Sequence, residues 1–188
     1  MPDPKLDGLR VAVLATDGFE EPELTEPVKA LHEAGAQVTI LSPKGGEIQG
    51  VRHDIDKTIK VKVDGTVHGA RAEEFDAVLL PGGALNADAM RMVPEVQAFL
   101  RAMQGASKPF AVICHAPWEL VSAGLVRGRT LTGYHTIQDD VRNAGGHWVD
   151  REVVEDGNWV TSRQPSDIPA FNRAMLRLFS RSLAASQR

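Results

Sequence analysis

Short apolar runs alternate along this chain with stretches of mixed polarity, and the two patterns call for different backbones. Arg10 to Ala15, Gln37 to Leu41, Phe75 to Leu80 and Phe110 to Ile113 are compact and mostly apolar, as strands buried on both faces are. Between the first two, an acidic stretch from Glu20 to Glu26 suits the positive start of a helix. Val28, Leu31 and His32 then recur at helical spacing, and Gly35 stops the helix. A strand-helix-strand unit of this length requires a crossover, which sets its two strands parallel. The expected core is an α/β fold, a mostly parallel sheet with helices on both faces.

The rhythm changes from Pro43 to Thr66. Gly45-Gly46 and Asp64-Gly65 punctuate alternating residues such as Ile59, Val61 and Val63, the signature of a small hairpin or edge-strand insertion. Beyond the strand ending in Pro81-Gly82-Gly83, the spacing predicts one helix from about Ala89 to Gln104. Later strands are expected at Thr130 to Thr132, His147 to Val149, Glu152 to Val154 and Trp159 to Ser162, followed by an amphipathic helix from Ile168 to Leu183.

Composition then limits the classes of function. With 188 residues and 43% hydrophobic content, the chain is expected to form a single domain over residues 1–188, its core spanning about 10–180. A net charge of -4 without any Lys/Arg cluster argues against nucleic-acid binding. No apolar stretch approaches the ~18 residues that span a membrane. The N-terminal Met-Pro-Asp-Pro-Lys-Leu-Asp has neither the basic start nor the apolar segment of a signal peptide. A cytoplasmic protein is expected. Its single cysteine cannot form an intramolecular disulfide and stays a free thiol, and no Cys/His cluster has zinc-ligand spacing. No cofactor is called for.

That cysteine, Cys114, lies where the strand Phe110 to Ile113 meets a helix beginning near Pro117. A sharp bend there exposes the sulfur at the top of the sheet and aims free N–H groups and a positive helix end at it, favouring thiolate. A buried core cysteine would have the same local pattern. Three loops should converge at this sheet edge: Asp17 to Glu23, Pro81 to Ala84 and Cys114 to Pro117. Gly82 and Gly83 allow close backbone approach to a ligand, although Pro-Gly-Gly is equally an ordinary turn. Glu20 and Glu23 share a helix face, and either carboxyl could reach the sulfur. An ionised acid there would oppose the thiolate, whereas a protonated one would donate to it. The Gly83 and His115 amides could form an oxyanion hole.

Several ordered motifs together are more specific than any one of these. Asp17-Gly-Phe-Glu-Glu-Pro-Glu-Leu24, Leu79-Leu-Pro-Gly-Gly83, Phe110-Ala-Val-Ile-Cys-His-Ala-Pro117, Gly128-Arg-Thr-Leu-Thr-Gly-Tyr134 and Glu152 to Arg163 closely resemble the PfpI family. The resemblance runs roughly from Arg10 to Phe179. It implies a flavodoxin-like three-layer sandwich with a small β insertion, and Cys114 as nucleophile. It makes His115 the general acid or base, Glu23 the carboxyl in contact with sulfur, and Glu20 a neighbouring acid. Tyr134 falls where relatives orient a substrate carbonyl. Asp88 is the best match to an acid supplied by an adjoining subunit, which implies a homo-oligomer, a dimer or a hexamer. Ala116 replaces a usual glycine and Trp118 a common Gln, so a narrower, more apolar rim is expected. The implied activity is attack on reactive carbonyls of the glyoxalase III or deglycase type, in a stress-related enzyme. Peptide hydrolysis and a non-catalytic redox sensor or chaperone with an oxidisable Cys114 are the alternatives, since all three use the same thiol.

Overall fold

The first buried run becomes β1 (Arg10–Leu14), and its alternation is what divides the molecule into layers. The computed structural model describes residues 4–186; Met1, Pro2 and Asp3 of the N-terminal stretch considered above lie outside the described residues. After β1 come β2 (Phe19–Glu20), α1 (Glu21–Glu33), β3 (Gln37–Ser42), β4 (Glu47–Arg52), β5 (Asp56–Lys62), β6 (Gly65–Thr66) and β7 (Ala77–Leu80). The second half contains α2 (Ala84–Arg91), α3 (Pro94–Gly105), β8 (Phe110–Ile113), α4 (Pro117–Ser122), β9 (Thr130–Leu131), α5 (Gln138–Asn143), β10 (His147–Trp148), β11 (Val153–Asp156), β12 (Trp159–Ser162) and α6 (Ile168–Ser186).

The main sheet runs β11-β12-β8-β7-β1-β3-β6. All its pairings are parallel except the antiparallel edge pair β11-β12. Val11, Val13, Leu79, Ala111 and Ile113 face one side, where they pack with Leu24 and Leu31 of α1 and Phe171, Met175 and Phe179 of α6. Ala12, Leu14, Val78, Leu80 and Val112 face the other, against Met90 of α2, Phe99, Leu100 and Met103 of α3, and Leu120 of α4. Period-two alternation along each strand feeds both cores, giving a helix-sheet-helix sandwich. Each large side chain buried in this way contributes roughly 1.5–3 kcal/mol.

The expected helix from Ala89 to Gln104 is in fact two. Val93, the residue before Pro94, is extended at φ -86° and ψ 113°, as steric pressure from a following proline requires, and Pro94 starts the next helix where its missing N–H costs nothing. The insertion is also two things. β4 and β5 form an antiparallel hairpin that joins β2 in a separate three-stranded sheet, while β6 closes the edge of the main sheet beside β3. The strands expected near 130 and 147 shrink to two residues each and pair only with one another.

Candidate active site

Three parallel strands end side by side, and their C-terminal loops meet at Cys114. Immediately beyond β8, Cys114 adopts φ 63°, a left-handed conformation rare for a residue with a side chain. Such a backbone costs about 1–3 kcal/mol and persists only where its surroundings hold it. Here the Cys114 N–H donates to Ser162 O at 3.1 Å, and Tyr134 N–H donates to Cys114 O at 2.7 Å. Gly133 permits that approach, since a Cβ there would lie 2.9 Å from Cys114 O. The bend sets Cys114 Sγ 3.2 Å from His115 Nδ1. Both residues are only 5% exposed, so the bend does not expose the sulfur as expected but buries it beside the imidazole, where helices and loops from both sides cover the sheet edge.

The Pro-Gly-Gly segment is more than a turn. A side chain at Gly82 would overlap Glu23 Oε2 and lie 2.5 Å from Cys114 Cβ, while one at Gly83 (φ 95°) would overlap Gly18 O and sit 2.7 Å from Glu20 N. These glycines let the backbone pass between the acid-bearing loop and the cysteine. The Gly83 N–H faces the sulfur and favours its anion. Asn86, fully buried, ties the loops together: its Nδ2 donates to the Pro81 and Gly82 carbonyls, both at 3.1 Å, and its Oδ1 accepts Thr16 N–H at 2.7 Å. No motif in the sequence singled out Asn86.

Glu23 is wholly buried and neither of its oxygens has a regular hydrogen-bond partner, although the Cys114 thiol and the Gly82 amide face it. Burial drives its carboxyl well above the usual carboxylate range, and the charges of Glu20 and Asp54 push the same way. Burial also pushes the Cys114 thiol up, reinforced by any charge on Glu23 and opposed by the Gly83 N–H. Two anions cannot share this dry space. The carboxyl, whose burial outweighs the Cys114 thiol and Gly82 amide that face it, keeps its proton and so removes the main negative charge facing the sulfur. What still opposes the thiolate is burial, a force that local helix-end reasoning left out. His115 is lowered by burial, so its ring is a neutral proton acceptor beside the thiol at pH 7.

Glu20 is buried too, but it faces the β4-β5 hairpin: its oxygens accept His53 N–H at 3.0 Å and Asp54 N–H at 3.2 Å. Asp54, unremarked in the sequence, accepts Ala84 N–H at 2.7 Å beside Gly83. Its one visible signal was an Asp between alternating strands, a residue type that tolerates left-handed turns. Tyr134 stacks on His115 with ring centres 4.6 Å apart, and Trp118 meets the same imidazole edge-on at 5.3 Å. Asp88 is exposed on α2, away from the buried face of Asn86, Ala87 and Met90; one chain does not bring it to Cys114. Among the described residues no group of three or more His, Cys, Asp or Glu is arranged to hold a metal ion. A groove of about 530 Å³ between the hairpin and Leu85 of α2 is lined by Asp54, Lys44, Lys57 and Lys60 but by none of Cys114, His115 or Glu23.

A strained cysteine elbow over a parallel sheet, with a histidine next in sequence and a neutral buried acid at the sulfur, defines a cysteine-centred member of the flavodoxin-like sandwiches. The chain belongs to the DJ-1/PfpI family, whose model matches residues 9–178. It is 42% identical over 170 residues to "Deglycase PfpI" of Pyrococcus furiosus, covering 90% of this chain and 99% of that one. "General stress protein 18" of Bacillus subtilis is 40% identical over 176 residues, covering 93% and 99%. Among solved structures, the two-domain protein with DJ-1/ThiJ/PfpI-like and ferritin-like domains from Anabaena variabilis superposes with a TM-score of 0.84 at 35% identity. The match covers 90% of this chain and 47% of that longer one.

Proposed function

We propose that this protein is a cofactor-independent cysteine enzyme that converts small reactive carbonyls, of the deglycase or glyoxalase III type. The observation that carries this reading is the left-handed Cys114 with its Sγ 3.2 Å from His115 Nδ1. His115 accepts the thiol proton as sulfur adds to the aldehyde carbon, then returns it to the new oxyanion, which the Gly83 and His115 amides stabilise. In the resulting hemithioacetal, the neutral ring takes the C1 proton and delivers it to C2, while the C1 hydroxyl proton passes to the C2 oxygen, to which protonated Glu23 donates a hydrogen bond. This leaves a 2-hydroxy thioester. Water cleaves it, releasing the hydroxy acid and restoring the thiol. Tyr134, stacked on the ring, orients the substrate carbonyl, and Glu20 acts by holding the hairpin.

With Cys114 and His115 both 5% exposed, the space suits a few-carbon substrate better than an extended peptide. A cytoplasmic setting keeps such a thiol reduced, and no helix among the described residues is long and apolar enough to cross a membrane. A homo-oligomer, dimer or hexamer, is supported by apolar side chains left in water: Leu85 at 62% and Met92 at 74% flank Asp88 along α2, and Ile55 is 81% exposed nearby. That arrangement fits Asp88 as an acid lent to an adjoining copy. Steady-state assays with methylglyoxal and with a fluorogenic peptide, on wild type and Cys114→Ser, test the function. Dicarbonyl turnover should exceed peptide cleavage, and both should vanish in the variant. Cys114-dependent peptide cleavage with the larger kcat/KM would make it a peptidase. Failure of both substrates, with ready peroxide oxidation of Cys114 to a sulfinate, would make it a redox sensor.

A further inference from the structure

The peptide bond between Gly82 and Gly83 is flanked by two residues without side chains, so no Cβ opposes its turning over. Its direction decides what the cysteine meets. The N–H faces the sulfur, and a turned peptide would present its carbonyl oxygen there instead. The approach is close, since a Cβ on Gly82 would lie 2.5 Å from Cys114 Cβ. In a trans peptide the carbonyl points away from the N–H, and here two donors grip it: Asn86 Nδ2 at 3.1 Å and the Glu20 N–H at 3.2 Å. The next peptide is held separately, with Gly83 O accepting the Ala87 N–H at 2.9 Å and the Ala84 N–H donating to Asp54 at 2.7 Å.

Asn86 is itself fixed. It is fully buried, its Nδ2 donates to both Pro81 O and Gly82 O, and its Oδ1 accepts the Thr16 N–H. Acceptors on one side and a donor on the other leave no doubt which end of the amide is nitrogen. We propose that Asn86 is a positioning residue for Cys114: its side-chain amide locks the Gly82–Gly83 peptide so that the Gly83 N–H, and not the Gly82 carbonyl, is presented to the sulfur. The proposal rests on the reading of Cys114 as the attacking thiol. When sulfur adds to an aldehyde, the C–S bond forms, the carbonyl π pair moves to oxygen, and the S–H proton passes to His115 Nδ1; nothing is oxidised or reduced. Negative charge thus moves from sulfur to an oxygen on the carbon bound to it, and a donor locked at the sulfur stands beside both anions. Donation to the Gly82 carbonyl also polarises the peptide and strengthens its N–H. The Thr16 contact staples two loops; the Gly82 contact reaches the chemistry.

Two truncations separate these contacts. Asn86→Ala and Asn86→Ser both lose the acceptor for Thr16, but a serine hydroxyl can donate to the carbonyl four residues back, that of Gly82. In Asn86→Ala the Cys114 midpoint, read from the pH dependence of iodoacetamide alkylation, should rise by about one unit, slowing alkylation at pH 7 about tenfold. The kcat for methylglyoxal should fall roughly 100-fold with KM little changed, as on loss of an oxyanion donor. Asn86→Ser should return both close to wild type. A purely structural asparagine would lower the urea midpoint and leave the thiol midpoint alone; that result, or equal shifts in the alanine and serine variants, would overturn the proposal. A second measurement needs no variant at position 86, should these not fold. In nitrogen-15 NMR spectra of the full chain, the Gly83 amide resonance should move with the Cys114 titration and stay still in Cys114→Ser; a wild-type resonance that ignores the titration would also overturn it. The titrations use no substrate. If wild type fails to turn over dicarbonyls while the midpoints move as stated, the enzymatic reading fails and the role of Asn86 stands.

Discussion

Glu23 and Glu119 are two fully buried carboxyls on opposite sides of the sheet, one on α1 and the other on α4, and neither has a regular hydrogen-bond partner. Burial drives both well above the ordinary carboxylate range. Their surroundings differ completely. Glu23 faces the Cys114 thiol and the Gly82 amide and feels Glu20 and Asp54, whereas burial is the one influence on Glu119. The difference teaches that burial makes an acid neutral, but only a reactive neighbour makes a neutral acid useful. An active site cannot be recognised from a perturbed carboxyl alone.

The harshest way to break the contrast is to move Glu23 without changing it. Gly82→Ala puts a methyl group where Glu23 Oε2 lies and within 2.5 Å of Cys114 Cβ. Dicarbonyl turnover should fall about 100-fold, the usual cost of misplacing reacting groups by an ångström, while circular dichroism stays near that of wild type. Retention of wild-type kcat would mean that the Glu23 carboxyl takes no part.

Replacing each acid by leucine sharpens the comparison directly. Glu23→Leu should slow alkylation of Cys114 about tenfold through loss of the donor at the sulfur, equivalent to one unit in the thiol's titration. Glu119→Leu should leave that rate alone. Equal rates in both variants would remove the distinction drawn between the two sites.

In stability the two acids should behave alike. Each has a folded-state value above its ordinary 4.5, so the folded chain binds the proton more tightly than the unfolded one. The stability so gained is complete below pH 4.5 and is lost as pH rises through the raised value. Within that window each acid should lower unfolding free energy by about 1.4 kcal/mol per pH unit. Urea unfolding from pH 5 upward should show the slope, and either leucine variant should lessen it. A slope unchanged in Glu119→Leu would mean that this carboxyl finds a partner the fold does not show.

The smallest effect belongs to the rim. Trp118 Nε1 donates to Asp140 at 3.0 Å, and the Arg91 guanidinium lies 5.2 Å from the ring centre. Trp118→Phe loses the first contact and weakens the second, at a cost of roughly 0.5–1 kcal/mol. It should raise KM for methylglyoxal more than it lowers kcat. A change confined to kcat would place Trp118 in the chemistry and not at the rim.

Local sequence determined the buried strands, because an apolar run between turn residues has few other stable uses, and it determined the elbow, because Pro117 and the run before Cys114 dictate a strand-to-helix bend. It put Glu20 and Glu23 on one helix face, which the structure corrects: Glu20 ends β2 with an extended backbone and only Glu23 lies on α1. Only the tertiary structure decided which way each points: Glu20 to the hairpin bend, Glu23 to the sulfur. The break before Pro94 was written locally and was overridden in the periodic reading by apolar spacing that continues on both sides of it. Asp54 and Asn86 were illegible for a different reason. They act across 30 and 70 residues of chain, on Ala84 and Thr16 respectively, and a hydrogen bond between distant segments leaves no periodicity behind. Charge states belong to the same category: composition names the acids, but desolvation is a property of what the folded chain packs around them.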